Sequence, residues 1–420
     1  MSTEQMNKNG NGVGAEGFEK SALRIEPLTF FEGAACIFGA NIGAGILGLA
    51  YGARKAGWPV LVFWLLVAGV FTTISMLYVA ETTLRTRKPM QLSGLAEKYL
   101  GQVGSWLMFA SVAVNSLGCL IAYTNGSGRI ISSFLGVAPA LGSLLFFIPA
   151  VLVIWFGLRA TGVSEKIITS GMVVMVVILI LATVMGPGIQ KQFLAYTDWR
   201  FAVPVFSLAI FCYISQYLVP ELTRGFAAKG GSIKNLPKAI VTGMSITFIF
   251  LALVPMAAIG LSGHESVSQV VTIAWGEALG QWAFFVANAF ALCAMMTSFW
   301  AIGETFLTNI VDRLKFPSEW DVKYRIISIA LVVIPPFLFA YTGLISFVGA
   351  IYFSGAFAGA IMSVVPVMML NKARKEGDRN PEWTCGWIAH PLIQGTLIFL
   401  FCGAALYAIL DALKVLPHGW

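Results

Sequence analysis

Long runs of apolar residues follow one another along most of the chain. Within a run such as 141–154, apolar and polar positions do not alternate, which disfavours the strands of a membrane barrel. Each run has about the 20 residues that a helix needs to cross roughly 30 Å of hydrocarbon. The pattern predicts an all-α polytopic membrane protein with eleven spans, at 31–53, 58–81, 103–133, 140–158, 164–185, 200–224, 238–261, 271–310, 324–342, 344–370 and 388–412.

Composition agrees with this pattern, since 58% of the 420 residues are hydrophobic and only 11% are charged. No shift in composition separates a second domain. We therefore predict a single transmembrane domain at 28–412. A disordered cytoplasmic segment at 1–27 precedes it, and a short external tail at 413–420 follows.

The net charge of +7 is explained by topology. If the N-terminus is cytoplasmic, most of the 27 Lys and Arg residues fall in alternate connections on the cytoplasmic side, as the positive-inside rule requires. No nucleic-acid partner is needed to account for the basic residues, and the partner we expect is the lipid bilayer. An odd number of spans places the C-terminus outside, in a plasma membrane or a bacterial inner membrane. The sequence does not indicate an oligomeric state.

The sequence gives no sign of enzymatic chemistry. The six cysteines lie mostly within apolar runs, and the three histidines show no metal-ligand spacing. No nucleotide-binding motif is present. We predict neither an enzyme nor an organic cofactor.

Two of the predicted spans are interrupted. Glycines break the first span between Gly39 and Gly45, and polar residues interrupt the sixth between Cys212 and Gln216. These breaks lie about 170 positions apart, which fits two five-helix repeats at about 28–190 and 198–375, with an extra helix at 388–412. Because each half has an odd number of spans, the repeats are predicted to be inverted, an arrangement typical of secondary transporters.

A break in a membrane helix exposes backbone groups that must bind something or line a cavity. The N–H groups of a half-helix suit the carboxylate of an amino acid, and its freed carbonyls suit a small cation. The alternative is a close crossing of small residues without a ligand. In the third span, Asn115 lies on a face with Cys119 and Tyr123, where it lines a cavity or forms a hydrogen bond to another helix.

Three stretches resemble known permeases. The sequence GANIGAGILGLAYGARKAGW at 39–58 resembles the first helix of the amino acid/auxin permease family, in particular its sodium-coupled neutral amino acid transporters. FCYISQYLVPEL at 211–222 is similar to that family's sixth helix, with Tyr213 in place of a histidine. MMTSFWAIGETF at 295–306 resembles bacterial aromatic amino acid and serine permeases of the same amino acid-polyamine-organocation superfamily.

The resemblance implies a leucine-transporter-like fold that carries an amino acid by alternating access. Substrate would bind between the broken helices, its carboxylate at the backbone of Ile42, Gly43, Ala44 and Gly45, and the rest of it near Phe211, Cys212 and Ser215. Tyr213 would act in gating or specificity. Sodium would be held by the hydroxyls of Thr297 and Ser298 and the carbonyls of Gly39 and Ile42, although such hydroxyls commonly bond back to their own helix.

We therefore expect sodium-coupled symport of a neutral amino acid. Proton-coupled symport and amino acid exchange remain alternatives, with a proton in place of Na⁺. The fifth span has no ionisable residue after Lys166, which favours sodium. A membrane-bound amino acid sensor that does not transport is the alternative from a different class.

Overall fold

The structure, a computed structural model, describes residues 28–156, 162–228, 232–316 and 321–416, without the side chains of 162–169 and 312. The predicted segment 1–27 and the end of the predicted tail lie outside these residues. The helices are α1 (Phe30–Asn41), α2 (Ala44–Gly52), α3 (Trp58–Leu84), α4 (Leu92–Leu135), α5 (Pro139–Phe156), α6 (Gly162–Met185), α7 (Lys191–Leu194), α8 (Ala202–Phe211), α9 (Val219–Ala227), α10 (Leu236–Ser262), α11 (Val271–Leu279), α12 (Gln281–Arg313), α13 (Val322–Tyr341), α14 (Phe347–Glu376) and α15 (Pro391–Ala412).

The predicted all-helical membrane architecture is confirmed. In the described part of the chain, nine helical segments are long and apolar enough to cross a membrane, and the pair α1 and α2, bent by 52°, forms a tenth. Helix α6, the predicted fifth span, has a shorter apolar stretch at Ser170–Met185 in the described residues, so the structure gives up to ten spans where the sequence predicted eleven.

The predicted span at 271–310 is wrong in its first part. Residues Val271–Leu279 form the separate short helix α11, and the spanning helix α12 starts only at Gln281. Gly280 between them has a φ of +107°, a conformation that residues with a side chain rarely adopt. The apolar run is continuous in sequence, so hydropathy alone does not reveal this turn.

The two halves pack in a reciprocal manner. Helix α1, in the first span of the first half, lies along α10, the second span of the second half. In the same way, α8, in the first span of the second half, lies along α3, the second span of the first half. Helix α14 packs along α4, and α6 packs along α12 in the same reciprocal way. This exchange of partners is what two inverted repeats produce.

Helix α4 bends sharply near its start. Gly101, with a φ of +67°, separates the first turns of α4 from its long second part. An L-residue with a side chain avoids this conformation, so glycine at this position permits the bend. Residues 102–135 then run as a continuous helix through the centre of the molecule.

Small residues let α14 approach α8 closely. A Cβ atom on Gly355 would overlap the carbonyl oxygen of Ser207, and one on Gly359 would overlap the side chain of Ile210. Both residues of α8 precede the sixth-span break. The spacing of Gly355 and Gly359 therefore serves helix packing and holds the helix that leads into the break.

Candidate functional site

The first-span break lies at Ile42 and Gly43. Helix α1 ends at Asn41, and α2 starts at Ala44 with Gly43 as an N-cap that supplies no side-chain bond. The first four N–H groups of any helix lack partners within it. A Cβ on Gly43 would have no atom within 4 Å, so the start of α2 borders open space.

The sixth-span break covers residues between Phe211 and Val219. The N–H of Tyr213 bonds to the carbonyl of Ile210 at 2.9 Å, and that of Ser215 bonds to Tyr213 at 2.8 Å, so tight turns replace the helical ladder. Pro220 lies in the first turn of α9, where its missing N–H costs no hydrogen bond.

The two breaks contact each other. A Cβ on Gly45 would lie 2.5 Å from Sγ of Cys212 and 3.2 Å from Cδ1 of Phe211. A side chain at position 45 would therefore require Cys212 to shift. The structure thus brings together Gly45, Phe211 and Cys212, three of the residues that the sequence placed at the substrate.

Tyr213 and Ser215 face the other way, toward α3. Tyr213 is fully buried, and its hydroxyl would lie 3.2 Å from a Cβ on Gly69 of α3. The same hydroxyl has no hydrogen-bond partner among the described residues. Ser215 places its Oγ 3.8 Å from Sδ of Met76, also on α3. The two residues thus contact α3, and the roles predicted for them, gating or specificity for Tyr213 and substrate binding for Ser215, stay predictions.

Helix α4 contributes two polar contacts near the breaks. The Oδ1 of Asn115 accepts a hydrogen bond of 3.0 Å from Ser354 of α14, so the interhelical bond left open by the sequence is present. The Tyr123 side chain lies close to those of Cys119 and of Ser298 on α12. Tyr123 therefore links α4 to the predicted ion site.

The four predicted sodium ligands lie on two different elements. Thr297 donates to the carbonyls of Cys293 and Ala294 of its own helix at 3.2 and 3.1 Å, which leaves its oxygen lone pairs for a cation. Gly39 and Ile42 lie at the end of α1, which packs mainly against α10, whereas α12 packs mainly against α4, α6 and α11. The sodium site stays a prediction.

Asn41 is a buried polar residue at the break that the sequence analysis missed. Its Nδ2 lies 3.3 Å from Sδ of Met244 and 3.3 Å from Oγ1 of Thr247, both on α10. Its Oδ1 is buried without a hydrogen-bond partner in the described part of the chain. The feature of the sequence that could have revealed it is a single amide side chain between Ala40 and Ile42 in an apolar run.

A pocket of about 240 Å³ lies near the C-terminal end of α4, between that helix and α11. It is lined by Arg129, Ser132, Ser133, Pro139, Ser268, Gln269, Val270 and Ile273. Arg129 donates from Nε to Asn125 at 2.9 Å, which directs its guanidinium along α4. The predicted topology places this pocket on the external side.

Inverted repeats with facing helix breaks define a membrane transporter of the leucine-transporter-like fold. The crystal structure of MhsT in complex with L-phenylalanine superposes on the chain with a TM-score of 0.58 at 14% identity, covering 94% of this chain and all of that one. This likeness establishes the fold. The chain belongs to the tryptophan/tyrosine permease family, whose model matches residues 28–406.

Two curated relatives are similar over most of their length. The tyrosine-specific transport system 1 of Haemophilus influenzae is 24% identical over 357 residues, covering 81% of this chain and 87% of the relative. The tryptophan-specific transport protein of Pseudomonas aeruginosa is 26% identical over 412 residues, covering 92% and 95%.

The family match corrects the sequence-based resemblance. The chain is an amino acid permease of this fold, but its family is the tryptophan/tyrosine permeases and not the amino acid/auxin permeases that the first-span motif indicated. The eighth-span motif, similar to bacterial aromatic amino acid permeases, was nearer the correct family. The prediction that the protein is not an enzyme is confirmed by the family.

Proposed function

We propose that this protein carries an aromatic amino acid, tryptophan or tyrosine, across a plasma or bacterial inner membrane by alternating access. The observation that carries the proposal is the contact between the two breaks at Gly45 and Cys212. It places unpaired helix N–H groups beside an aromatic side chain. The substrates named for the two relatives, and the L-phenylalanine bound to MhsT, support an aromatic substrate.

Each part of an amino acid has a counterpart at this contact. The N–H groups of Gly43, Ala44 and Gly45 suit the carboxylate, because a helix N-terminus carries positive partial charge. Phe211 offers a ring edge or face to an aromatic side chain, an arrangement that stabilises beyond simple burial. The half-buried Asn115 adds polar lining on α4.

We further propose that sodium drives the transport, bound by Thr297 and Ser298 with the carbonyls of Gly39 and Ile42. Oxygen-only ligation suits a hard cation. A proton is the alternative driver. The absence of an ionisable residue between Lys166 and the end of α6 in the sequence favours sodium.

Uptake into proteoliposomes tests both proposals. Labelled tryptophan, tyrosine and leucine are offered under an inward sodium gradient, an inward proton gradient or neither. We expect accumulation of tryptophan or tyrosine above equilibrium with sodium alone. Accumulation of leucine in preference to both aromatic substrates would contradict the proposed specificity, and accumulation with protons alone would discard the sodium site. Saturable binding without uptake would favour the sensor.

A further inference from the structure

A fully buried carboxylate lies near the end of α3 that the sequence places in the cytoplasm. Glu81 has no exposed surface. Arg374 of α14 donates to both of its oxygens at 2.9 Å, in a paired fork. Arg85 donates to Oε1 at 2.9 Å, and the backbone N–H of Cys385 donates to Oε2 at 2.8 Å. All of these bonds are charge-assisted, the stronger class of hydrogen bond.

The connection between α14 and α15, residues 377–390, wraps over this end of α3, and we call it the collar. Besides its bond to Glu81, Cys385 places its Sγ 3.3 Å from the carbonyl of Leu77. The hydroxyl of Tyr78 donates to the carbonyl of Ile388 at 2.7 Å. The N–H of Asp378 donates to the carbonyl of Arg85 at 2.9 Å. Successive turns of α3 thus bond to the collar.

The collar is also bonded to α15. Gln394 donates to the carbonyl of Ala389 at 3.2 Å. Its side-chain amide pairs with that of Asn371 on α14 through two bonds of 2.9 and 3.2 Å. The ends of α3, α14 and α15 therefore form one hydrogen-bonded unit centred on Glu81.

Separating α14 and the collar from the end of α3 would leave the buried Glu81 carboxylate with Arg85 but without Arg374 and the Cys385 N–H. Removing one member of a buried ion pair is among the most destabilising changes in a protein, because the other charge stays desolvated and uncompensated. Movement of the collar away from α3 would remove the Cys385 N–H from Glu81, and movement of α14 with it would remove both bonds from Arg374. A transport cycle that moved α14 together with the collar away from α3 would incur this cost at every turnover.

One turn above the collar, α3 faces the sixth-span break. Ser75 donates to the carbonyl of Ser363 at 3.1 Å, and Gln216 donates to the hydroxyl of the same Ser363 at 3.2 Å. Ser215 contacts Met76. A shift of α3 would therefore disturb the contacts of Ser215 and Gln216 at the sixth-span break.

We propose that Glu81 is a positioning residue for transport, which keeps the end of α3 fixed to α14 and α15 through the whole cycle. The inference rests on the proposed function. In this arrangement the collar is a stationary support and not a gate, and the moving parts on this side are the half-helices α1 and α9.

The substitution Glu81→Gln tests the role of the charge, because it keeps the shape of the side chain and removes the counter-charge of both arginines. We expect the affinity for labelled tryptophan or tyrosine in detergent to change by less than about twofold and the turnover rate in proteoliposomes to fall by about tenfold or more. The matched control is Glu376→Gln, which breaks an exposed pair with Lys372 within α14 and should change neither quantity. Wild-type turnover in Glu81→Gln would overturn the inference.

The thiol of Cys385 gives a second test in the unmodified protein. Burial, with a smaller contribution from Glu81, raises the pKa of this thiol above its usual value, so it alkylates slowly while the collar is closed. Proteoliposomes are treated with a membrane-permeant maleimide at rest, with substrate, and during uptake, and the peptide containing Cys385 is quantified by mass spectrometry. We expect equal protection in all three conditions.

Labelling of Cys385 during uptake would overturn the inference, because the collar would then open in the cycle. This outcome does not depend on whether Glu81→Gln folds. Uptake by the same vesicles reports on the proposed function separately. Failure to take up any aromatic amino acid contradicts the proposed function, whereas a difference in Cys385 labelling among the three conditions contradicts the inference.

Discussion

At the scale of single residues, the site depends on the absence of a side chain at Gly45. The nearest atom to a Cβ there would be Sγ of Cys212, so the two breaks meet without intervening volume. The sequence predicted that Gly45 belongs to the break, because glycines within an apolar run weaken a helix. It did not predict which residue of the sixth span lies opposite, because helical periodicity ends at Phe211.

Gly45→Ala should weaken binding of tryptophan or tyrosine by about fivefold or more, since overpacking costs about 1–3 kcal/mol. The double variant Gly45→Ala with Cys212→Ala removes the clashing sulfur and should recover part of the affinity. Gly395→Ala is the control, because a Cβ there has no atom within 4 Å. Equilibrium binding of labelled substrate measures all three. A double variant no better than Gly45→Ala would place the obstruction elsewhere.

Replacing Thr297 and Ser298 together by Ala should abolish the stimulation of uptake by sodium while binding without sodium persists, because two hydroxyl oxygens are lost from the proposed ion site. The control is Thr305→Ala on the same helix, whose hydroxyl makes the same type of bond back to its own helix, at 2.8 Å to Ala301. Uptake at graded sodium concentrations provides the measurement. Unchanged sodium dependence in the double variant would remove both residues from the ion site.

At the scale of helices, hydropathy predicted the spans well because burial in lipid requires apolar residues all round a helix. It could not separate α11 from α12, since one glycine marks the turn. It also could not predict the collar. The partners of Glu81 on α14 and in the collar are 293 and 304 positions away in sequence, and such a distance leaves no local pattern. From the sequence, Glu81 is therefore expected only to be a solvated or Arg-paired carboxylate at a cytoplasmic helix end, with no indication of which Arg.

Helix α11 is anchored to α6 by one buried side chain. Trp275, 2% exposed, donates from Nε1 to the hydroxyl of Thr183 at 2.9 Å. Trp275→Phe should lower the free energy of unfolding by about 1 kcal/mol through loss of this bond, with an added contribution from the smaller ring. The measurement is the temperature at which half of the detergent-solubilised protein loses its monodisperse elution peak.

The same substitution at Trp387, which is 79% exposed, should leave that temperature unchanged. Combining Trp275→Phe with Thr183→Val should destabilise by less than the sum of the two single changes, because both remove the same bond. Full additivity would show that the bond contributes nothing to the anchoring of α11.

At the scale of the whole molecule, the distribution of basic residues predicts orientation, which the fold by itself does not fix. We expect the N-terminus inside and the C-terminus outside, since most Lys and Arg residues lie in alternate connections. In a bacterial host, alkaline phosphatase fused after residue 420 should be active, and the same enzyme fused to the connection between α9 and α10 should be inactive. The reverse pattern would contradict the predicted orientation of the chain.

The bend at Gly101 leaves a second part of α4 that is longer than a membrane is thick. Residues 102–135 extend over about 50 Å at a rise of 1.5 Å per residue, against roughly 30 Å of hydrocarbon. Tilts of up to about 40° cannot absorb this excess, so an end of α4 stands clear of the lipid tails. The external end, with Arg129, Ser132 and Ser133, is polar enough to do so. Bilayer thickness therefore determines how far the pocket beside α11 extends from the membrane into water. Access of solutes to this pocket can then be varied with vesicles of different acyl-chain length.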